Sequence, residues 1–478
     1  MLFHSFQFLI FFPIVYCLYL ILPHKQQNRM LLFASYVFYG AWNWHYVFLL
    51  FGSTIVDYLC ALKIERSKEH VGRKKFLFVS ILTNLSLLGV LKYYDFFALE
   101  FQNFMAVFGI SVQPFFLNFI LPIGISFYTF QTMSYTIDVF RGKLKAEKNF
   151  LDYALYVSFF PQLIAGPIER GTRLLPQIQS PRTIDLDKIS RGCYLFLWGL
   201  FLKIYIGDNL APIVESVFQS TGPYDGVEVL IASYAFGFQV YCDFAGYSFM
   251  AIGLALVMGI ELMENFRRPF FSRDISDFWR RWHISLSSWF RDYFFSPVYM
   301  RFELIPWLNN LPLKRRHGVV FFLTLLVTLC LLGFWHGAGW NYVLFGVYHA
   351  FAVGFYYLVR CSWKKMPVWL QLFLTFHLVT VGWLFFRAAS VEQTLDLFYA
   401  LFFIFHFQIE PEFSTMAFQA AGLVCILLAV QVLQEWKGDT FVVLKWPRPI
   451  RYAFFILIGC LIMIFGNFGE RPFIYFQF

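Results

Sequence analysis

Read for hydropathy alone, the chain alternates long apolar runs with short polar connections. Apolar segments lie near 5–22, 30–43, 46–63, 76–98 and 119–136, and again near 192–207, 229–255, 318–336, 341–359, 368–386, 415–434 and 452–469. Runs of about 18 to 20 apolar residues suit the roughly 30 Å of hydrocarbon in a bilayer. The pattern predicts an all-α polytopic membrane protein with about 11–12 transmembrane helices. Between the two groups, "FLDYALYVSFFPQLIAGPIER" (150–170) is apolar but broken by Pro161, Gly166 and Pro167. Interrupted backbone at membrane depth must be buried in protein or line a cavity, so this stretch reads as re-entrant. No internal repeat or long linker divides the chain, and residues 1–478 read as a single membrane domain.

Composition sharpens this picture. Of 478 residues, 59% are hydrophobic and only 14% charged, against roughly 25% charged in soluble domains. The net charge of +9 does not indicate nucleic acid, because the basic residues sit in particular loops. Loop 24–29 carries Lys25 and Arg29, loop 64–75 carries Arg66, Lys68, Arg73, Lys74 and Lys75, and loop 137–149 carries Arg141, Lys143, Lys145 and Lys148. The alternate connections, 43–45 and 99–118, contain no Lys or Arg. By the positive-inside rule the N-terminus lies outside and the basic loops in the cytoplasm. An even number of spans returns the C-terminal tail to the outer face. The first apolar run lacks a basic leader and a small-residue cleavage site, so it reads as a retained span. The eight cysteines form no CxxC pair and suggest neither a disulfide framework nor a zinc site.

Four features could carry chemistry. His336 stands in "GFWHGAGWN" (333–341), after the uncharged run 319–332. Counted from the basic cluster Lys314, Arg315, Arg316 and His317, it lies roughly 28 Å along a helix, towards the outer side. It is either hydrogen-bonded between helices or functional, as intramembrane ionisable groups commonly are. Trp335 and Asn341 flank it, and Gly337 and Gly339 would let backbone or substrate approach the imidazole closely. The second feature is 273–300, where Asp277 and Arg281, and Trp279 and His283, stand at i,i+4. A helix there would have a charged and an aromatic face. It reads as an interfacial helix or as a segment presenting His283 to a reaction chamber, and spacing alone favours the former. Third, Asp243 lies within an apolar run and requires a partner, expected among the Arg-rich loops. Fourth, the terminal "FIYFQF" (473–478) has one hydroxyl, Tyr475, and reads alternatively as an aromatic plug at a membrane boundary. HExxH, Walker-type and GxSxG motifs are absent. His336 and His349 are thirteen apart, which is no metal spacing. A transporter or the scaffold of an export complex remains open on residues alone, although a transporter usually shows repeated halves.

Taken together, the segments "FPQLIAGPIER" (160–170), "GFQVYCDFAGYS" (237–248), "DFWRRWHISLSSWFRDYFFSPV" (277–298), "GFWHGAGWNYVLFGVYHA" (333–350) and the terminal "FIYFQF" resemble the membrane-bound O-acyltransferase (MBOAT) family. The resemblance is to its bacterial branch serving alginate O-acetylation and related cell-surface acylations, and it spans essentially the whole chain. The chain departs where the family tends to carry a glycine pair after "SPV" and here reads "YMRFE". The resemblance implies a ring of tilted helices around a thinned central funnel in a bacterial inner membrane. It implies His336 as the essential histidine and His283 as its polar partner, with Trp335, Asn341, Asp243 and Trp279 as candidate substrate-binding residues. It further implies a cytoplasmic acyl thioester such as acetyl-coenzyme A as donor, no bound cofactor or metal, and a periplasmic SGNH-type acetyltransferase or esterase as partner. In that scheme His336 acts as general base, His283 or a backbone amide near the glycines steadies the oxyanion, and Tyr475 carries the acyl group. Alginate-like exopolysaccharide is the expected acceptor, with peptidoglycan O-acetylation or D-alanyl-type transfer as alternatives.

Overall fold

The computed structural model describes all residues except 407–408, 470, 472 and 475–478. The described residues form helices and irregular connections without strands. Nine of these helices are long and apolar enough to cross a membrane. Helices Phe6–Ile21, His24–Gly40 and Ile125–Phe140 have 16, 17 and 16 residues. At 1.5 Å per residue they fall a few ångströms short of a straight crossing, and of the three only Phe6–Ile21 is apolar throughout, which accounts for the difference from about twelve. The chain clusters into two compact units, residues 1–196 with 248–263, and residues 197–247 with 264–478.

In the first unit, helices His45–Arg66, His70–Val107 and Ile125–Phe140 surround a buried polar centre. The Asp57 carboxylate accepts from Ser80 Oγ at 2.6 Å and from Asn84 Nδ2 at 2.9 and 3.0 Å. The proline-broken stretch forms two short helices, Phe150–Ser158 and Phe160–Leu163. Its interrupted backbone is satisfied by side chains. Tyr156 O accepts from Gln131 Nε2 and Gln162 Nε2, and Phe160 N–H donates to Ser35 Oγ. Glu169, at the end of the same motif, is fully buried and accepts from Met263 N–H. Burial pushes its carboxyl up to about 7 despite that hydrogen bond.

The second unit contains the helical hairpin Leu313–His336 and Trp340–Trp363. A Cβ on Gly346 would lie 2.1 Å from Leu329 O, so only glycine permits this backbone approach. The segment expected as one amphipathic helix is broken. Helix Ile275–Arg281 ends before Trp282, and Ile284–Phe290 begins after His283, whose φ is +43°. Trp279 and His283 therefore do not share a helical face, whereas Asp277 and Arg281 do pair, at 3.1 Å. After "SPV" the chain continues as helix Ser296–Phe302, which has no turn for a glycine pair to make.

Candidate active site

The hairpin fixes His336 at the last residue of its first helix, 4% exposed. Aromatic rings enclose it, with centroids at 5.0 Å for Trp335, 5.1 Å for Phe386 and 6.4 Å for Phe345. The glycine that follows serves a purpose other than the one expected. A Cβ on Gly337 would lie 2.1 Å from the Tyr342 ring, so the space beside the histidine is filled by the protein's own tyrosine. Trp335 also faces His283 at 6.2 Å, so one indole touches both imidazoles.

His283 is held by a buried hairpin of loop. Arg267 N–H donates to Arg281 O, and Ile284 N–H donates to Asn265 O, both at 2.9 Å. Arg268 and Arg281 both pair with Glu435, at 2.6 and 3.1 Å. These contacts hold His283 in the left-handed conformation that non-glycine residues rarely adopt. Asn265 Oδ1 faces Ser285 N–H at 3.4 Å, Ser285 Oγ at 2.9 Å and His283 Nδ1 at 3.0 Å. A backbone N–H can only donate, so the atom it meets is the amide oxygen. His283 Nδ1 then carries the proton and Nε2 the lone pair. Burial pushes the imidazole down to about 3, so it is neutral at cellular pH. In this tautomer Nε2 presents a lone pair rather than a hydrogen.

A cavity of about 480 Å³ runs along the helix that carries His336, from Phe321 to Leu332. Leu332 stands four residues before the histidine, about 6 Å of helical rise. Arg267, Arg280 and Arg291 also line the cavity. Their side chains are more than half exposed, each beside a carboxylate: Glu264, Asp277 and Asp292. Exposed pairs of this kind are weak and exchange readily. Trp279 lines the same cavity, and its buried Nε1–H has no acceptor among the described residues.

The remaining candidates separate. Asn341 Nδ2 donates to Ala388 O at 2.8 Å and Phe385 O at 3.3 Å, capping helix Val368–Arg387. Asp243 pairs with Lys203, a lysine within an apolar helix, rather than with a loop arginine. Tyr475 lies outside the described residues. One residue was not foreseen as part of the site. His349 is 1% exposed, packs at 4.5 Å on Phe345 and 5.1 Å on Trp279, and has neither ring nitrogen hydrogen-bonded among the described residues. Its spacing of thirteen from His336 speaks only to metal binding. Its i,i+4 step from Phe345 is the signal that would have found it.

The sequence model of the membrane-bound O-acyltransferase family matches residues 139–392. The chain is similar to a probable alginate O-acetylase of Pseudomonas putida, with 34% identity over 98% of both chains. It is 33% identical to a peptidoglycan O-acetyltransferase of Helicobacter pylori, over 81% of this chain and 77% of that one. A teichoic acid D-alanyltransferase of Bacillus subtilis shares 31% identity over 56% of this chain and 69% of its own length.

Proposed function

The chain belongs to the membrane-bound O-acyltransferase family, and from that premise we propose that it transfers an acetyl group from a cytoplasmic thioester to a cell-surface polysaccharide of the alginate-like class. It is an acyltransferase, not the transporter or scaffold that intramembrane polar residues also allowed. The observation that carries the reading is the cavity with arginines on its wall, which follows one helix to within a turn of His336. An anionic thioester such as acetyl-coenzyme A sets its phosphates against Arg267, Arg280 and Arg291, exchanging their carboxylate partners. The acyl end lies towards Leu332 and Trp279.

The chemistry then uses groups with distinct duties. His336 takes the proton of the acceptor hydroxyl as its oxygen attacks the thioester carbonyl, a role typically contributing roughly 10²–10⁴-fold. The Trp279 Nε1–H donates to the developing oxyanion, the duty His283 cannot perform in its tautomer. As the new C–O bond forms, the C–S bond breaks, and the thiolate leaves with the proton held by the His336 imidazolium. His283, neutral and held by Asn265, fixes the Trp335 indole that it shares with His336 and so positions the base. We assign the first acceptor as Tyr475, which passes the acetyl group to a periplasmic SGNH-type transferase acting on the polymer. The protein works in a bacterial inner membrane with its N-terminus outside, as the loop charges suggest.

Mass spectrometry of the C-terminal fragment after incubation with isotopically labelled acetyl-coenzyme A tests the scheme. Label on Tyr475 that disappears in His336→Ala is the expected result. Thioester hydrolysis without label on Tyr475 removes the carrier but keeps the enzyme. An undiminished hydrolysis rate in His336→Ala overturns the base assignment.

A further inference from the structure

Lys203, Asp208 and Asp243 form a buried triad that the acyl-transfer scheme does not use. Their side chains are 3%, 6% and about 4% exposed. Lys203 Nζ lies 2.8 Å from Asp208 Oδ1 and also pairs with Asp243 Oδ1. Lys203 sits in a π-helical turn, Phe201–Gly207, a distortion that recurs at functional sites. Lys203 engages one oxygen of each carboxylate, and the second oxygen of a buried carboxylate requires a donor of its own. The other oxygen of Asp243 receives one from far along the chain. Ile474 N–H donates to Asp243 Oδ2 at 2.8 Å.

The contact is part of a series along the same segment. Asn467 N–H donates to Ile204 O at 2.9 Å, and Arg471 pairs with Glu215 at 3.0 Å. Phe473 packs on Phe244 and Tyr247, at 5.4 and 5.6 Å, the neighbours of Asp243 one and four residues on. Phe244 in turn meets His283 edge-on at 4.6 Å. The residue before the anchored N–H is thus one ring away from the candidate active site. Beside the anchor lies a polar cavity of about 190 Å³, lined by Asp208, Gln239, Asp243, Arg387 and Arg471 among others.

We infer that Lys203, Asp208 and Asp243 form a docking clamp for the C-terminal segment, in which Asp243 grips the Ile474 N–H. Asp243 is a positioning residue here rather than a substrate-binding one. The grip is on the main chain, so it fixes register whatever side chain stands at 474. Its purpose rests on the carrier reading of Tyr475, whereas the docking itself does not.

Hydrogen exchange of C-terminal peptides, measured by mass spectrometry on the full-length protein in nanodiscs, reads the docking directly. Ile474→Pro deletes the donor and leaves the triad untouched, and Ile474→Ala keeps the donor. Exchange of the segment is expected to rise about tenfold in Ile474→Pro, the scale of one lost hydrogen bond. It should stay at the wild-type rate in Ile474→Ala. Asp243→Ala should match the proline variant, and if it does not fold, Ile474→Pro still decides. In the labelling experiment Ile474→Pro should lose acetyl on Tyr475 while thioester hydrolysis persists. Unchanged exchange in Ile474→Pro overturns the clamp. Faster exchange, with no label on Tyr475 even in the wild type, supports the clamp and rejects the carrier.

Discussion

His283 and His336 differ in what surrounds them, and the difference predicts different consequences of substitution. The useful hydrogen on His283 is committed to Asn265. Asn265→Asp preserves an acceptor opposite that proton, whereas Asn265→Leu removes it and frees the ring to change tautomer. We expect the leucine variant to lose kcat by a factor on the order of ten, the lower range for partners that orient an imidazole. KM for the thioester should hardly move, and the aspartate variant should retain most of the activity. Equal losses in both would assign Asn265 to packing. Glu169 supplies a pH effect. Its folded carboxyl titrates near 7, above the ordinary value of 4.5, so the fold favours the protonated form. Its contribution to stability is therefore full below about 4.5 and is lost as pH rises through 7. Thermal denaturation of wild type against Glu169→Gln should show wild type losing ground between about pH 5 and 7.5. Parallel curves would argue against this assignment.

Helices are the most legible level of this molecule. Runs such as 318–336 and 368–386 need only length and apolarity to be seen, and they match helices Leu313–His336 and Val368–Arg387. What escaped is set by tertiary contact. Nothing in "FLKIYIG" marks Lys203 as the partner of a carboxylate 40 positions away, because a lysine in a greasy run looks like an interface residue. The break at His283 was hidden by an i,i+4 pattern that a helix would satisfy. It depends on Asn265, 18 positions earlier, to hold the left-handed turn. Glycines give this scale its test. Gly346→Ala places a methyl against Leu329 O and should cost about 1–3 kcal/mol, as overpacking does. Gly459→Ala, on helix Arg448–Phe465, meets nothing within 4 Å and should be neutral or slightly stabilising. Thermal unfolding in detergent separates the two, and equal melting temperatures would contradict the close packing of the hairpin.

At the scale of the whole chain, the charge pattern predicts sidedness. Single cysteines placed in loops 64–75 and 137–149 should react only with membrane-permeant reagents in intact cells. Those in the irregular stretch 108–118 should react with impermeant ones. The reverse result would turn the protein over in the membrane and exchange the faces of donor and carrier. The family match over residues 139–392 explains why function was readable as acyl transfer, since four of the five motifs quoted from the sequence fall within it. The acceptor polymer was not readable, since relatives acting on alginate and on peptidoglycan are similarly close.

The hydrogen bond between Ile474 and Asp243 joins positions 231 apart in one polypeptide, and this has a kinetic meaning. With Tyr475 as the proposed carrier, tethering to its own catalyst sets an effective concentration by the chain, not by expression level. Acetylation of Tyr475 should accordingly be first order in protein and insensitive to dilution. Mixing His336→Ala protein with Tyr475→Phe protein should restore almost none of it.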